Sequence, residues 1–312
     1  MLENNGQKQN DKQKHYRGQI IKALSGFYYI EENQTGQIYQ TRGRGNFRQK
    51  DQSPLVGDWV EFVADNDQEG LVTAIAERKN AMIRPPVANV DLAFLVASVT
   101  DPTISPKLID RYLVYIESLG IQPVLYLSKL DLLTENQVQD VDQLIALYQE
   151  IGYAVFTSEQ DLSQSQTLKD LVQDKVVVAV GQSGVGKSTF LNEILPVGDI
   201  ATAEISKRLG RGRHTTRHSE LHDVFGGKFA DTPGFSNISI DYIPKEDLDN
   251  YLPEFFALKG QCKFRECTHQ HEPKCAVKAA LAAGQISQQR YDSYVQMYQE
   301  IASAKPQYNK RK

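Results

Sequence analysis

A chain of 312 residues is long enough for two or three domains with buried cores, and its 35 Lys and Arg against 39 Asp and Glu (formal charge −4) exclude a uniformly basic nucleic-acid coat. Apolar residues make up 40% and charged residues 24%, too apolar for a disordered chain. No apolar run approaches the ~20 residues of a membrane span, so no membrane association is expected. The three cysteines all fall between Cys262 and Cys275, an odd, clustered set that argues against a disulfide framework and for a reducing, cytoplasmic setting.

Residues 1–15 are polar with no apolar core and read as a flexible tail, not a signal peptide. Between 16 and 79, five short runs have strand character: Gly18–Lys22, Phe27–Glu31, Gln37–Thr41, Asp58–Phe62 and Leu71–Ala76. Turn-rich stretches such as E-N-Q-T-G separate them. This spacing predicts a small closed barrel, the oligonucleotide-binding (OB) fold first, another small barrel without a ligand second.

From 80 to 241 the rhythm is strand–helix–strand. Val90–Val96 reads as a buried strand; Ser105 offers an N-cap with Pro106 at the first helical position. Leu108, Tyr112, Ile116 and Leu119 follow at helical spacing until Gly120. Gln122–Leu127, Ala154–Thr157 and Lys175–Val180 are further strands, and Val138, Val141, Ile145 and Tyr148 mark a helix ending near Gly152. The alternation predicts an α/β unit with a mostly parallel sheet. Residues 242–312 read as helical segments around the cysteines, an amphipathic last helix and a basic tail.

After the strand V-V-V-A-V comes Gly181-Gln182-Ser183-Gly184-Val185-Gly186-Lys187-Ser188-Thr189, a G-x-x-x-x-G-K-S phosphate loop in its required strand-then-helix setting. Glycines let backbone N–H groups wrap phosphates at a helix N-terminus, Lys187 reaches the β- and γ-phosphates, and Ser188 binds Mg²⁺. Downstream, Asp231-Thr-Pro-Gly234 reads as a second switch: Asp231 holds Mg²⁺ and the Gly234 N–H senses the γ-phosphate. Between them, residues 205–219 carry five Lys or Arg and no acid. With Thr215 and Thr216 as Mg²⁺ hydroxyls, that stretch suits the first switch.

Guanine discrimination needs an Asp that accepts from the base N1 and N2 donors. Lys245-Glu246-Asp247 follows no strand and reads as a solvated helix start. Ser128-Lys129-Leu130-Asp131 follows the apolar strand P-V-L-Y-L, and Thr157-Ser158, ending the next strand, supplies a second base loop. Base loops therefore precede the phosphate loop and both switches, the order of a circularly permuted GTPase. Asp131 disfavours the rival reading, a phosphate-loop ATPase.

Barrel, permuted core and C-terminal Cys/His cluster together closely resemble the ribosome small-subunit-dependent GTPase A family over residues 16–303. One departure is Ser128, where the family's base motif has Asn. The resemblance implies GTP hydrolysis to GDP and phosphate with Mg²⁺, stimulated by the small (30S) ribosomal subunit whose late maturation the protein assists, binding to that subunit's rRNA, and a monomer. The alternative is an RNA-binding chaperone with a nucleotide switch but little turnover.

Cys262-x4-Cys267-x-His269-x5-Cys275 supplies three thiolates and an imidazole, the ligands of one closed structural Zn²⁺ site. His271 is a rival fourth ligand; the family pattern favours His269. Arg42, Arg44, Arg48 and Lys50 beside Phe47, the 205–219 segment, and Lys305, Lys310, Arg311 and Lys312 form basic clusters suited to RNA. The position after D-x-x-G, where switch GTPases often place a Gln, is Phe235, which cannot orient water. His214 is the candidate catalytic side chain in its place.

Overall fold

The computed structural model describes residues 14–44, 47, 53–103, 105–194, 220–231 and 238–304. They divide into two compact units, one reaching Asn89 and taking in residues up to His222 from the later chain, the other comprising the rest from Val90.

The first unit is built on five strands: β1 (Lys14–Leu24), β2 (Phe27–Glu32), β3 (Ile38–Gly43), β4 (Trp59–Ala64) and β5 (Gly70–Ile75). They pair in the order β1-β2-β3-β5-β4 and close by a β4–β1 ladder; β3–β5 is parallel and the others antiparallel. This is the expected OB barrel. β1 begins earlier than expected: Lys14 and His15 pair with Ala64 and Val63, so the expected tail gives two residues to the barrel. Closure demands close backbone approach at Gly18, where a Cβ would stand 2.3 Å from the Glu31 carbonyl oxygen. Ile20, Ile30, Val60, Phe62 and Val72 fill the interior. Below it, fully buried Asp58 accepts two 2.7 Å bonds from Arg78 Nε and Nη2 and a third from the Leu55 N–H, so its charge is paired and hydrogen-bonded.

In the second unit, β6 (Leu92–Ser98), α1 (Pro106–Ser118), β7 (Gln122–Ser128), α2 (Glu135–Ile151), β8 (Ala154–Thr157), α3 (Gln166–Val172), β9 (Val176–Val180) and α4 (Lys187–Ile194) follow in turn. β10 (Glu220–Val224), whose residues up to His222 are counted with the first unit, and β11 (Gly227–Asp231) come next. The strands order as β11-β9-β6-β7-β8, every pair parallel. Local chemistry sets the helix ends: Ser105 accepts from the Leu108 N–H ahead of Pro106, Thr134 and Gln137 form a capping box, and Gly152 takes φ +106 at the C-terminus of α2. Phe94 packs against Phe156, Phe190 and Phe229 in a core shared by β6, β8, α4 and β11. Truncating Phe94 to Ala would cost about 3–5 kcal/mol.

The C-terminal segment holds a 3-10 stretch (Lys245–Tyr251), α5 (Pro253–Phe256), α6 (Ala276–Ala282) and α7 (Gln288–Ser303). Its helices dock on α1 through Arg290, which is fully buried. Arg290 donates to Asp110 of α1 at 2.7 Å and to both carboxylate oxygens of Glu254 at 2.6 and 3.0 Å; Tyr148 of α2 also donates to Asp110 at 2.7 Å. Pairing with two carboxylates keeps the guanidinium charged despite its burial. Among the described residues, no helix is long and apolar enough to cross a membrane.

Candidate nucleotide site and metal cluster

Four parallel strands deliver the sequence motifs to one edge of the sheet. β7 runs into Ser128-Lys129-Leu130-Asp131, β8 into Thr157-Ser158, β9 into Gly181–Ser188, and β11 ends on Asp231. Since all run in the same direction, the loops emerge together at the carboxyl ends, where open α/β sheets bind ligands.

The phosphate loop takes the backbone that its glycines permit. Gly181, Gly184 and Gly186 have φ of +144, +82 and +94, and a Cβ on Gly181 would lie 2.3 Å from the Val96 carbonyl oxygen. α4 begins at Lys187, so its unpaired N–H groups border the loop, with Ser188 half-buried in its first turn and Gln182 flanked by exposed Ser183. Lys187 Nζ donates to the Gly181 carbonyl at 3.0 Å and to that of Gln182, so the ammonium is folded onto the loop that it would share with phosphate. Burial pulls its pKa down to about 8.

Ser128, 5% exposed, donates its hydroxyl to the Val185 carbonyl at 2.5 Å. Ser128, where the family's motif has Asn, thus ties the loop after β7 to the glycine-rich loop after β9. Lys129 adopts φ +63 and donates to the Asp101 carbonyl. Leu130 N–H donates to Ser158 Oγ at 3.1 Å, and Ser158 N–H to the Leu127 carbonyl at 2.9 Å, which joins the two base loops. Asp131 is exposed in the following 3-10 turn, while Thr157 is half-buried with its N–H bound by Gln160 at 3.2 Å. Sequence reading gave no part to the loop after β6. Pro102 lies 3.8 Å from where a Gly184 Cβ would stand, and a loop leaving the middle strand at the carboxyl edge could have been placed here from topology alone. Thr189 is exposed; His214, Thr215, Thr216, Gly234 and the side chain of Asp231 lie outside the described residues.

The ligand atoms of Cys262, Cys267, His269 and Cys275 all lie within 4.8 Å of one another. His269 Nδ1 stands 3.7 Å from Cys262 Sγ and 3.3 Å from Cys275 Sγ, while its Nε2 faces Asp249 at 3.4 Å, a carboxylate placed to orient the ring. Backbone N–H groups of Ala276 and Lys278 donate to Cys262 and Cys275. Glu272, against the penalty of burial, is held down at about 2 by Thr268 and by N–H groups around the turn, and so braces the turn carrying His269. His271 is exposed and outside the cluster. The set could hold one metal ion with four protein ligands.

Of the basic cluster on the barrel, Arg42 is exposed and lies 4.6 Å over the Phe27 ring, and Arg44 is exposed. Phe47 is buried, so it is not the base-stacking neighbour that the sequence suggested. Arg48, Lys50, the 205–219 switch segment up to 219 and the basic tail lie outside the described residues.

Comparison with known proteins adds an independent line. The sequence model of the RsgA GTPase family matches residues 75–241, and that of the RsgA N-terminal domain residues 17–72. Small ribosomal subunit biogenesis GTPase RsgA of Streptococcus agalactiae serotype III (strain NEM316) is 49% identical over 94% of this chain and 98% of its own. The Enterococcus faecalis (strain ATCC 700802 / V583) protein of the same name is 49% identical over 95% and 98%. Among solved structures, YloQ, described as a circularly permuted GTPase, superposes with a TM-score of 0.79 at 43% identity, covering 95% of this chain and 98% of that one. YjeQ from Thermotoga maritima gives 0.80 at 34% identity over 94% and 100%.

Proposed function

The chain belongs to the RsgA GTPase family, and from that premise we propose that its four strand-end loops bind and hydrolyse GTP on the small ribosomal subunit during late maturation. It is a GTP hydrolase of circularly permuted order acting in small-subunit biogenesis. The observation that supports the site assignment is the Ser128–Val185 bond, which ties the loop carrying Ser128–Asp131 to the glycine-rich loop 57 residues later in the chain.

In this reading Asp131 accepts from guanine N1 and N2, Lys129 covers the base, Thr157 and Ser158 close the base pocket, and Gly181–Thr189 wrap the phosphates. Ser188, Asp231 and Thr215 or Thr216 hold Mg²⁺, and Gly234 contacts the γ-phosphate. Bound there, Mg²⁺ would neutralise charge on the β- and γ-oxygens. Lys187 exchanges its loop carbonyls for phosphate oxygens. His214 orients the attacking water; His214→Ala should keep GTP and subunit binding but lose most stimulated hydrolysis, and normal stimulated turnover would remove it from this role. Cys262, Cys267, His269 and Cys275 take one structural Zn²⁺, a choice supported by three thiolates and one imidazole with no open position. Exposed Arg42 and Arg44 contact rRNA, the protein is monomeric, and ribosome assembly sets it in the cytoplasm.

GTP turnover with and without purified small subunits tests the whole reading. Stimulated multiple turnover is expected. Single-turnover binding unaffected by subunits would instead favour a chaperone with a nucleotide switch.

A further inference from the structure

Glu193 sits six residues beyond Lys187 on α4 and belongs to no motif. α4 buries Phe190, Leu191 and Ile194, and Glu193, three residues after Phe190, lies on that side of the helix and is half-buried. Its carboxylate has partners on two other elements. Oε1 accepts from the Leu162 N–H at 3.2 Å, and Oε2 accepts from the Tyr126 hydroxyl of β7 at 3.5 Å. Tyr126 is buried with its ring 4.6 Å from that of Phe190, so packing delivers the hydroxyl to the carboxylate. Burial, and after it the carboxylate, raises the Tyr126 pKa above its ordinary value, so the hydroxyl stays a donor.

Both partners lead directly to the loops assigned to the base. Tyr126 stands two residues before Ser128 on β7. Leu162, fully buried, ends the turn that opens with Thr157-Ser158. Within that turn Thr157 N–H donates to Gln160 Oε1 and Gln160 N–H to the Thr157 carbonyl, both at 3.2 Å. Ser158 is tied to Leu127 and Leu130, so the loop after β8 is held at its start from β7 and at its end by Glu193. α4 itself starts at Lys187, in the glycine-rich loop. The Ser128–Val185 bond fastens the chain just ahead of α4, and Glu193 fastens the helix near its other end. A rod held at both ends cannot pivot about either one.

We propose that Glu193 is a positioning residue for nucleotide binding, holding α4 and the two base loops at the spacing that a guanine nucleotide spans. This rests on the nucleotide-site assignment above. A ligand that reaches both base loops and phosphate loop gains the affinity of each only when their spacing matches its own, as in two linked binding events. A ligand that reaches the phosphate loop alone is indifferent to that spacing. Both carboxylate oxygens are taken by protein donors, so Glu193 acts through the loops that it joins.

The test titrates the full chain with a fluorescent GDP analogue and displaces it with GDP, ADP and inorganic pyrophosphate. Removing a coupled contact of this kind costs from about twofold to about a hundredfold in an equilibrium constant, so Glu193→Ala should weaken GDP binding about fivefold or more. ADP and pyrophosphate, which do not engage the guanine contacts, should stay within about twofold, so the preference for guanine falls with GDP affinity. Glu193→Met keeps the length of the side chain without its oxygens and should behave as Glu193→Ala does, even where the smaller residue loosens the fold. Glu193→Gln still accepts from Leu162 and can donate to Tyr126, and should bind GDP within about twofold of wild type. Unchanged GDP affinity in the Ala and Met variants overturns the proposal, as does an equal loss for GDP, ADP and pyrophosphate. Wild-type protein that binds GDP and ADP alike would instead overturn the base-loop assignment itself.

Discussion

The hydroxyl of Ser128 and the carbonyl of Val185 meet at 2.5 Å inside the sheet's carboxyl edge, joining the residue that opens the base motif to the middle of the phosphate loop. Gly186 lies beside the contact, where a Cβ would stand 3.5 Å from both Cβ and Oγ of Ser128. Removing the hydroxyl would leave a buried carbonyl without its donor. Ser128→Ala should therefore weaken GDP and GTP binding about tenfold, or ~1.4 kcal/mol, measured by fluorescent-nucleotide titration. Affinity equal to wild type would mean that the loops hold their geometry without this bond.

Asp131 is exposed at the tip of its turn and free to face a base. Asp131→Asn should exchange guanine for xanthine preference, because the new amide offers a donor where guanine also offers donors. Mismatched polar groups typically cost specificity by orders of magnitude. A competition assay with xanthosine triphosphate reads this directly; full GTP affinity with no gain for xanthine would move the base site elsewhere.

Lys187 predicts a pH dependence. Burial lowers its pKa from 10.5 to about 8, so the folded chain holds this proton more weakly than the unfolded chain. Its contribution to folding is thus unfavourable below about pH 8 and is relieved as the pH climbs toward 10.5. Nucleotide binding runs the opposite way, because phosphate takes the charged form. GDP affinity should fall by up to about tenfold per pH unit above 8, and Lys187→Ala should abolish tight triphosphate binding at any pH. A flat affinity profile between neutral and alkaline pH would show that the ammonium is not a phosphate ligand.

Chelation should loosen residues 262–275, seen as faster amide exchange, since four ligands within 4.8 Å of one another repel or protonate when no ion joins them. Nucleotide affinity should change by less than about twofold, because Arg290, Asp110 and Glu254 hold the C-terminal helices on α1 independently of the cluster. GDP binding lost together with the metal would contradict that independence.

The parts of this molecule with a local signature were readable in advance. All five barrel strands, the Ser105 cap, the stop at Gly152 and the phosphate loop rest on period, capping and glycine chemistry within a few residues. His269 over His271 rested on the resembled family's Cys-x-His pattern, and it is His269 that lies with the three cysteines. What was not readable is made between distant residues. Nothing near Arg290 in sequence points to Asp110 or Glu254, and its place in an amphipathic helix reads as an exposed charge. The Glu193 contacts with Leu162 and Tyr126 are hidden for the same reason. Phe47 misled because an aromatic among arginines looks like a stacking surface, yet an apolar ring is buried when a core is within reach.

The strand order also has a consequence during synthesis. Of the parallel sheet, β6, β7 and β8 leave the ribosome before β9 and β11, and together they make a three-strand parallel sheet that ends in the loops after β7 and β8. β9 and then β11 are added outward on the opposite side of β6, so each new strand docks on an edge that the previous one has left open. Lys187 follows Asp131 by 56 residues, about 3–11 s of chain growth at ~5–20 residues per second. A nascent chain halted in that interval should protect β6–β8 amides from exchange yet retain no GDP, whereas nucleotide capture before Lys187 emerges would contradict this sequence of events. The permuted order thus builds the base loops well before the loop that would grip phosphate, so a chain halted between them should stay empty.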